Sequence, residues 1–310
     1  MRRAGFLAAL PLVAAGAQIV RAQTASLRIG TLLTDTFAEA YYADDMGFFA
    51  KAGLTVEIQS FRNAGEISAA VLGGALDLGA GTPISLANAY LRGIPLQYIA
   101  AGGLYRSVAP TTGFCVAKDS PLKTAKDFEG KTVSINGFKD PTQLSVIAWL
   151  TKNGADPSKV NMVEIPTVET GQAIARGTVA GGVMSEPSLS AAIASGEVRL
   201  FAKNFDAIAP SIMIVGWFTT SDWVKQNLAV AKRFVAVIYQ TAKWANANQT
   251  RSGQILQKYS KISDATLHAM TRATYAESLE PAMINPTLAL AAAYKFTDRL
   301  VNGSDLIEKL

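Results

Sequence analysis

Cysteine and histidine are almost missing from the 310 residues: Cys115 is the only thiol and His268 the only imidazole. One thiol cannot form an internal disulfide, and so short a supply excludes the usual His/Cys zinc sites. Any Ser-His-Asp arrangement would have to use His268 as its base. Charged residues are also scarce, at 17% of the chain, and no Lys/Arg cluster suggests a nucleic-acid footprint. Beyond residue 23 no uncharged run reaches the roughly 18 residues a membrane helix needs. Enzyme signatures fail as well. Gly130-Lys131-Thr132 ends like a phosphate-binding loop, but Ala125 stands where its first glycine is required. Ser120-Pro121-Leu122-Lys123 matches S-x-x-K, yet no S-D-N or K-T-G follows, and G-x-S-x-G does not occur. The expectation is a protein without catalytic residues, metal or cofactor.

What is present begins with a targeting pattern. Met1-Arg2-Arg3 is basic, Ala4 to Ala17 carries no charge, and Val20-Arg21-Ala22 offers small or aliphatic residues where a signal peptidase reads. Residues 1–22 are expected to be a signal peptide cleaved near Ala22, leaving a periplasmic protein. Loss of Arg2, Arg3 and Arg21 with no acidic residue lowers the formal net charge from +5 to +2.

The remaining chain is long enough for two ordinary domains. Strands at 27–32, 55–59, 76–79 and 94–100 alternate with helical stretches, which implies a parallel or mixed sheet with helices on both faces. After a small-residue connector at 105–113 the pattern restarts. Strands are expected at 114–117, 132–136, 160–165, 182–184 and 198–202, with helices between them. An extended run at 212–219 follows, and the tail then reads as wholly helical. In one tail helix Ala231, Phe234, Val235, Ile238, Ala242 and Ala245 share a face. A strandless tail is expected to pack back on the first sheet. The fold class is therefore α/β with two lobes: 23–112 and 214–310 form a discontinuous lobe 1, and 113–213 an inserted lobe 2.

Several segments resemble one family. These are Met46-Gly47-Phe48-Phe49-Ala50-Lys51-Ala52-Gly53-Leu54-Thr55-Val56-Glu57, Gly73-Gly74-Ala75-Leu76-Asp77-Leu78-Gly79, Lys118-Asp119-Ser120-Pro121-Leu122 and Asp127-Phe128-Glu129-Gly130-Lys131-Thr132-Val133. In order and spacing they are similar to periplasmic binding proteins of the sulfonate, nitrate and taurine importers, whose relatives bind thiamine-pyrimidine precursors. The resemblance implies a periplasmic binding protein type II fold and the solute-binding role in an ABC importer. The partners it implies are a small-molecule ligand and an inner-membrane ABC permease, with the protein itself a monomer. Other roles on the same scaffold are a secreted enzyme, a periplasmic sensor module, or a binder of a pyrimidine-like heterocycle.

In open α/β sheets ligands lie beyond the C-terminal strand ends. That rule selects 33–37, 60–64, 81–85, 137–142 and 185–187. Thr34, Thr82, Ser85, Thr142 and Ser185 supply hydroxyls there, beside helix N-termini that suit an anion. Thr82 ahead of Pro83, and Asp140 ahead of Pro141, also read as helix caps. Arg62 is placed to pair with a carboxylate or sulfonate, and Lys139 offers a second cation. Phe37, Phe61, Phe138 and Trp217 are candidates for an apolar wall. Glu186, at a strand end, would accept from an amine or ring N–H.

Overall fold

The computed structural model describes residues 24–310, so the expected signal peptide and its cleavage site lie outside the described residues. Two five-stranded sheets dominate. The first contains β1 (Ala25–Thr31), β2 (Leu54–Ser60), β3 (Leu78–Gly81), β4 (Leu96–Ala101) and β12 (Gly216–Thr220), in the order β2-β1-β3-β12-β4. β1 runs parallel to β2 and β3, and β12 enters antiparallel between β3 and β4. The second contains β6 (Thr112–Ala117), β7 (Thr132–Ile135), β8 (Asn161–Glu164), β9 (Gly181–Ser185) and β10 (Val198–Ala202), in the order β10-β6-β9-β7-β8. Here β7 is parallel to β8 and β9, while β6 is antiparallel to β9 and β10. Both sheets are mixed and flanked by helices, as the strand–helix alternation implied.

A third, three-stranded antiparallel sheet was not expected. It joins β5 (Gly103–Arg106), β11 (Ser211–Met213) and β13 (Thr274–Tyr275), in the order β11-β5-β13. It corrects three expectations. The connector at 105–113 starts as a strand, and the run 212–219 breaks into two. The break falls at Ile214 and Val215, whose N–H groups both donate to Gly103 O. The tail is also not wholly helical. β13 is only two residues long and has no periodicity of its own, so tertiary pairing alone defines it.

The helix Leu228–Ala247 buries Ala231, Phe234, Ile238, Ala242 and Ala245. Val237 joins that face, and Val235 packs against the core half-buried. Phe234 stacks on Phe49 at 5.9 Å and meets Trp217 edge-on at 5.6 Å, binding this helix to the first sheet. The helices Asp264–Ala269 and Asn285–Ala293 also reach helices of the second sheet, Ser188–Ala194 and Pro141–Lys152. Below the second sheet, Phe114, Phe128, Trp149 and Phe201 form a tight aromatic cluster. Between β2 and the preceding helix, Gly53 takes φ +68°, a left-handed turn that glycine adopts without steric cost.

Candidate functional site

A cavity of about 240 Å³ lies where the C-terminal strand ends of the two large sheets meet. The first sheet contributes the turn after β1 (Leu32, Leu33, Thr34, Thr36, Phe37), the loop after β2 (Ser60 to Ala64) and Thr82 after β3. From the second sheet come Thr112, Asn136, Asp140 to Thr142, Pro166 to Glu169 and Ser185. Phe205 and Ile214 close the side nearest the crossing segments.

The turn after β1 is anchored from below. Asp35 is fully buried and takes two hydrogen bonds from the Arg272 guanidinium, each 2.9 Å. Ala273 N and Tyr42 Oη also donate to its carboxylate, both at 2.7 Å. Tyr275 Oη donates to Asp35 O. Asp35 N in turn donates to Glu186 O, so this turn is tied to the end of β9. Thr34 and Phe37 are thereby held facing the cavity.

Across the cavity, Asp140 caps the helix Pro141–Lys152. Its Oδ1 accepts from Thr142 N (2.7 Å), Thr142 Oγ1 (2.5 Å) and Gln143 N (3.1 Å). The Thr142 hydroxyl also accepts from Asn136 N at 3.0 Å, which fixes the end of β7. Desolvation pushes the Asp140 carboxyl up to about 6. Nearby Glu164 adds to the rise, and the Thr142 and Gln143 donors oppose it.

Seven of the twelve candidate residues line this cavity: Thr34, Phe37, Phe61, Arg62, Thr82, Thr142 and Ser185. Five do not: the side chains of three have a structural occupation and those of two face solvent. Trp217 is 1% exposed and donates its indole N–H to Glu39 Oε2 at 2.8 Å, so it is a core residue. Glu186 is buried, and its carboxylate is taken by Ser190 N, Ser190 Oγ and Thr271 N. Ser85 donates to Thr82 O, closing the first turn of its helix. Phe138 is 53% exposed, its side chain outside the cavity and its N–H given to Glu164 Oε1. Lys139 sits in the left-handed region at φ +54° and points to solvent, its backbone N–H donating to Gln143 Oε1. Thr82 itself makes no side-chain cap, contrary to expectation; its hydroxyl meets Ser85 Oγ at 3.3 Å.

The loop 166–169 was missed, although it follows an expected strand and the strand-end rule covers it. Phe205 and Ile214 carry no such signal. They come from a 3-10 turn and from the gap between β11 and β12. The nucleophile and base the sequence offers are elsewhere. Cys115 is buried, its thiol pushed up to about 12 chiefly by desolvation, and His268 lies exposed on the helix Asp264–Ala269. Among the described residues no group of three His, Cys, Asp or Glu side chains is placed to hold a metal ion.

Residues 34–252 match the family model described as NMT1/THI5 like. No curated protein matches the chain. Among solved structures, the alkanesulfonate-binding protein SsuA of Xanthomonas axonopodis pv. citri, bound to MOPS, superposes with a TM-score of 0.77. It is 18% identical, over 93% of this chain and 100% of that one. The periplasmic aliphatic sulphonate binding protein SsuA of Escherichia coli gives 0.73 at 17% identity, over 92% of both chains. The desulfurization enzyme DSZB gives 0.66 at 14% identity, over 91% of this chain and 96% of that one. At these identities the likeness is one of fold, the two-lobed periplasmic binding protein type II arrangement.

Proposed function

The chain belongs to the NMT1/THI5-like family, and from that premise we propose that it is an exported solute-binding component of an ABC importer. In this reading 24–112 and 214–310 form one lobe and 113–213 the other. They close over a small organic molecule and present it to a membrane permease. The observation that carries the reading is the cavity itself, whose walls come from the C-terminal strand ends of both large sheets. A molecule touching both walls favours the closed arrangement over the open one, and that difference is what a transport partner can recognise.

The lining suggests the cargo. Leu32, Phe37, Phe61, Phe205 and Ile214 make an apolar wall that suits a hydrocarbon or aromatic body better than a bare inorganic anion. Arg62 is the only cationic side chain among the lining residues, and it would hold a carboxylate or sulfonate at the mouth. The fold is shared with sulfonate-binding proteins and with an enzyme, so retention of the cargo's chemistry is the discriminating property.

A thermal-shift screen of sulfonates, aromatic carboxylates, amino acids and pyrimidines tests the reading. A compound at about 100 times its dissociation constant should add roughly 2.7 kcal/mol, which is about 5 °C of melting temperature at this size. Mass spectrometry of the released compound should return it unaltered. Conversion of the compound to a product would overturn the proposal in favour of an enzyme.

A further inference from the structure

We propose that Asp140 binds the captured molecule as well as capping its helix, its free carboxylate oxygen taking an N–H donor from an ammonium, amidine or aminated ring. The inference rests on the solute-binding reading and narrows its cargo to molecules that carry both an N–H head and an acid.

The two oxygens of Asp140 are used unequally. All three capping bonds, from Thr142 N, Thr142 Oγ1 and Gln143 N, fall on Oδ1. Among the described residues no group donates to Oδ2, although Asp140 lines the cavity. Capping therefore explains one oxygen and leaves the other over. That oxygen is accessible from the cavity, and an ionised carboxylate oxygen there is a strong acceptor for a donor that the captured molecule brings.

The neighbouring glycine keeps that oxygen approachable. A Cβ at Gly137 would stand 3.3 Å from Oδ2, tight against it. Gly137 does not lie in the left-handed region, so its backbone does not demand glycine. What its lack of a side chain provides is space beside Oδ2.

The charge balance of the lining points the same way. Arg62 stands against two carboxylates, Asp140 and Glu169. A simple monoanion would satisfy Arg62 and leave the far wall net negative. A molecule with an acid at one end and N–H groups at the other satisfies both, with Arg62 on the first lobe and Asp140 on the second. With its carboxyl pushed up to about 6, Asp140 is still largely ionised at neutral pH and available as an acceptor.

The test uses two matched pairs of probes, 3-aminopropanesulfonate with propanesulfonate and 4-aminobenzoate with benzoate. Each is titrated by calorimetry into the wild type and into Asp140→Asn. Asparagine is as good an N-cap as aspartate, so the variant keeps the helix start while removing the carboxylate. In the wild type the amino member of at least one pair should bind about ten-fold tighter or more, the scale of a hydrogen bond to a charged group. In Asp140→Asn that ratio should fall to within about two-fold, since the neutral amide lacks the charge that made the bond strong. A wild type that does not distinguish the members of either pair overturns the assignment, and so does a variant that keeps the preference. Binding of neither pair, while other compounds of the wider screen bind, overturns it too. Binding of no compound in that screen removes the solute-binding reading beneath it.

Discussion

Glu39 is a carboxyl sealed in the core: it is 1% exposed, its Oε2 accepts from Trp217 Nε1, and its Oε1 has no partner among the described residues. Desolvation holds its carboxyl well above the usual carboxylate range, against the smaller opposing effect of the Trp217 bond. In the unfolded chain the group loses its proton near the ordinary value, whereas the folded protein keeps it. Above that value the native state binds more protons, so stability from this group falls as pH rises through the folded pKa. Glu39→Gln should therefore flatten the decline between pH 5 and 8, and the acceptor for Trp217 is retained. Urea unfolding of both proteins across that range measures it; parallel pH profiles would show that Glu39 is not the group responsible. At this scale the sequence was only partly informative. Asp140 before Pro141 announced its cap because the Asx-Pro start is a local signal, and capping is a local interaction. Trp217 reads as a site residue because its partner Glu39 is distant in sequence and nothing local reveals it, whereas Glu186 is held partly by Ser190, four residues on, and partly by distant Thr271.

Elements were more legible, for a physical reason. The inner strands β3, β6 and β9 carry runs of apolar or small residues, a pattern that burial on both faces imposes, whereas the edge strand β2 alternates apolar with polar residues and is buried on one face only. β9 shows how closely it is enforced. Gly182 lies between β6 and β7, and a Cβ there would collide with Ser134 Oγ and come within 2.7 Å of Thr170 Cγ2. Gly182→Ala should cost about 1–3 kcal/mol through overpacking. A lower urea midpoint at unchanged slope is the expected result, and an unchanged midpoint would show that the sheet yields at this point. The small third sheet was illegible because β5, β11 and β13 are four, three and two residues long. Strands so short carry too few alternations to be read, and their pairing exists only once the larger elements have brought them together. Val237 lies deeper than Val235 on the face of Leu228–Ala247 because helical spacing fixes a face only to within about a residue.

At the scale of the whole molecule, the chain makes one large sheet, leaves through β5, makes another and returns through β11. β5 and β11 pair with each other, so the two crossings form one ribbon beside the cavity. In the solute-binding reading this ribbon is the hinge. The loops after β2, at one edge of the first sheet, and after β8, at one edge of the second, both line the cavity. Strand order puts them at the edges away from β4 and β6, where the chain crosses between sheets. In that reading they are the tips of the jaws, and Arg62 and Glu169 sit on them, both exposed. The general position of this cleft was readable from the rule that ligands gather at C-terminal strand ends. Its inner wall was not, because Phe205 and Ile214 are brought there only by the crossing. The most direct test is a crystal structure of the protein with the compound that raises its melting temperature most. The compound is expected in the 240 Å³ cavity, touching the loop after β2 on one lobe and Asp140 or Thr142 on the other. A compound bound elsewhere, or held by one lobe alone, would contradict it.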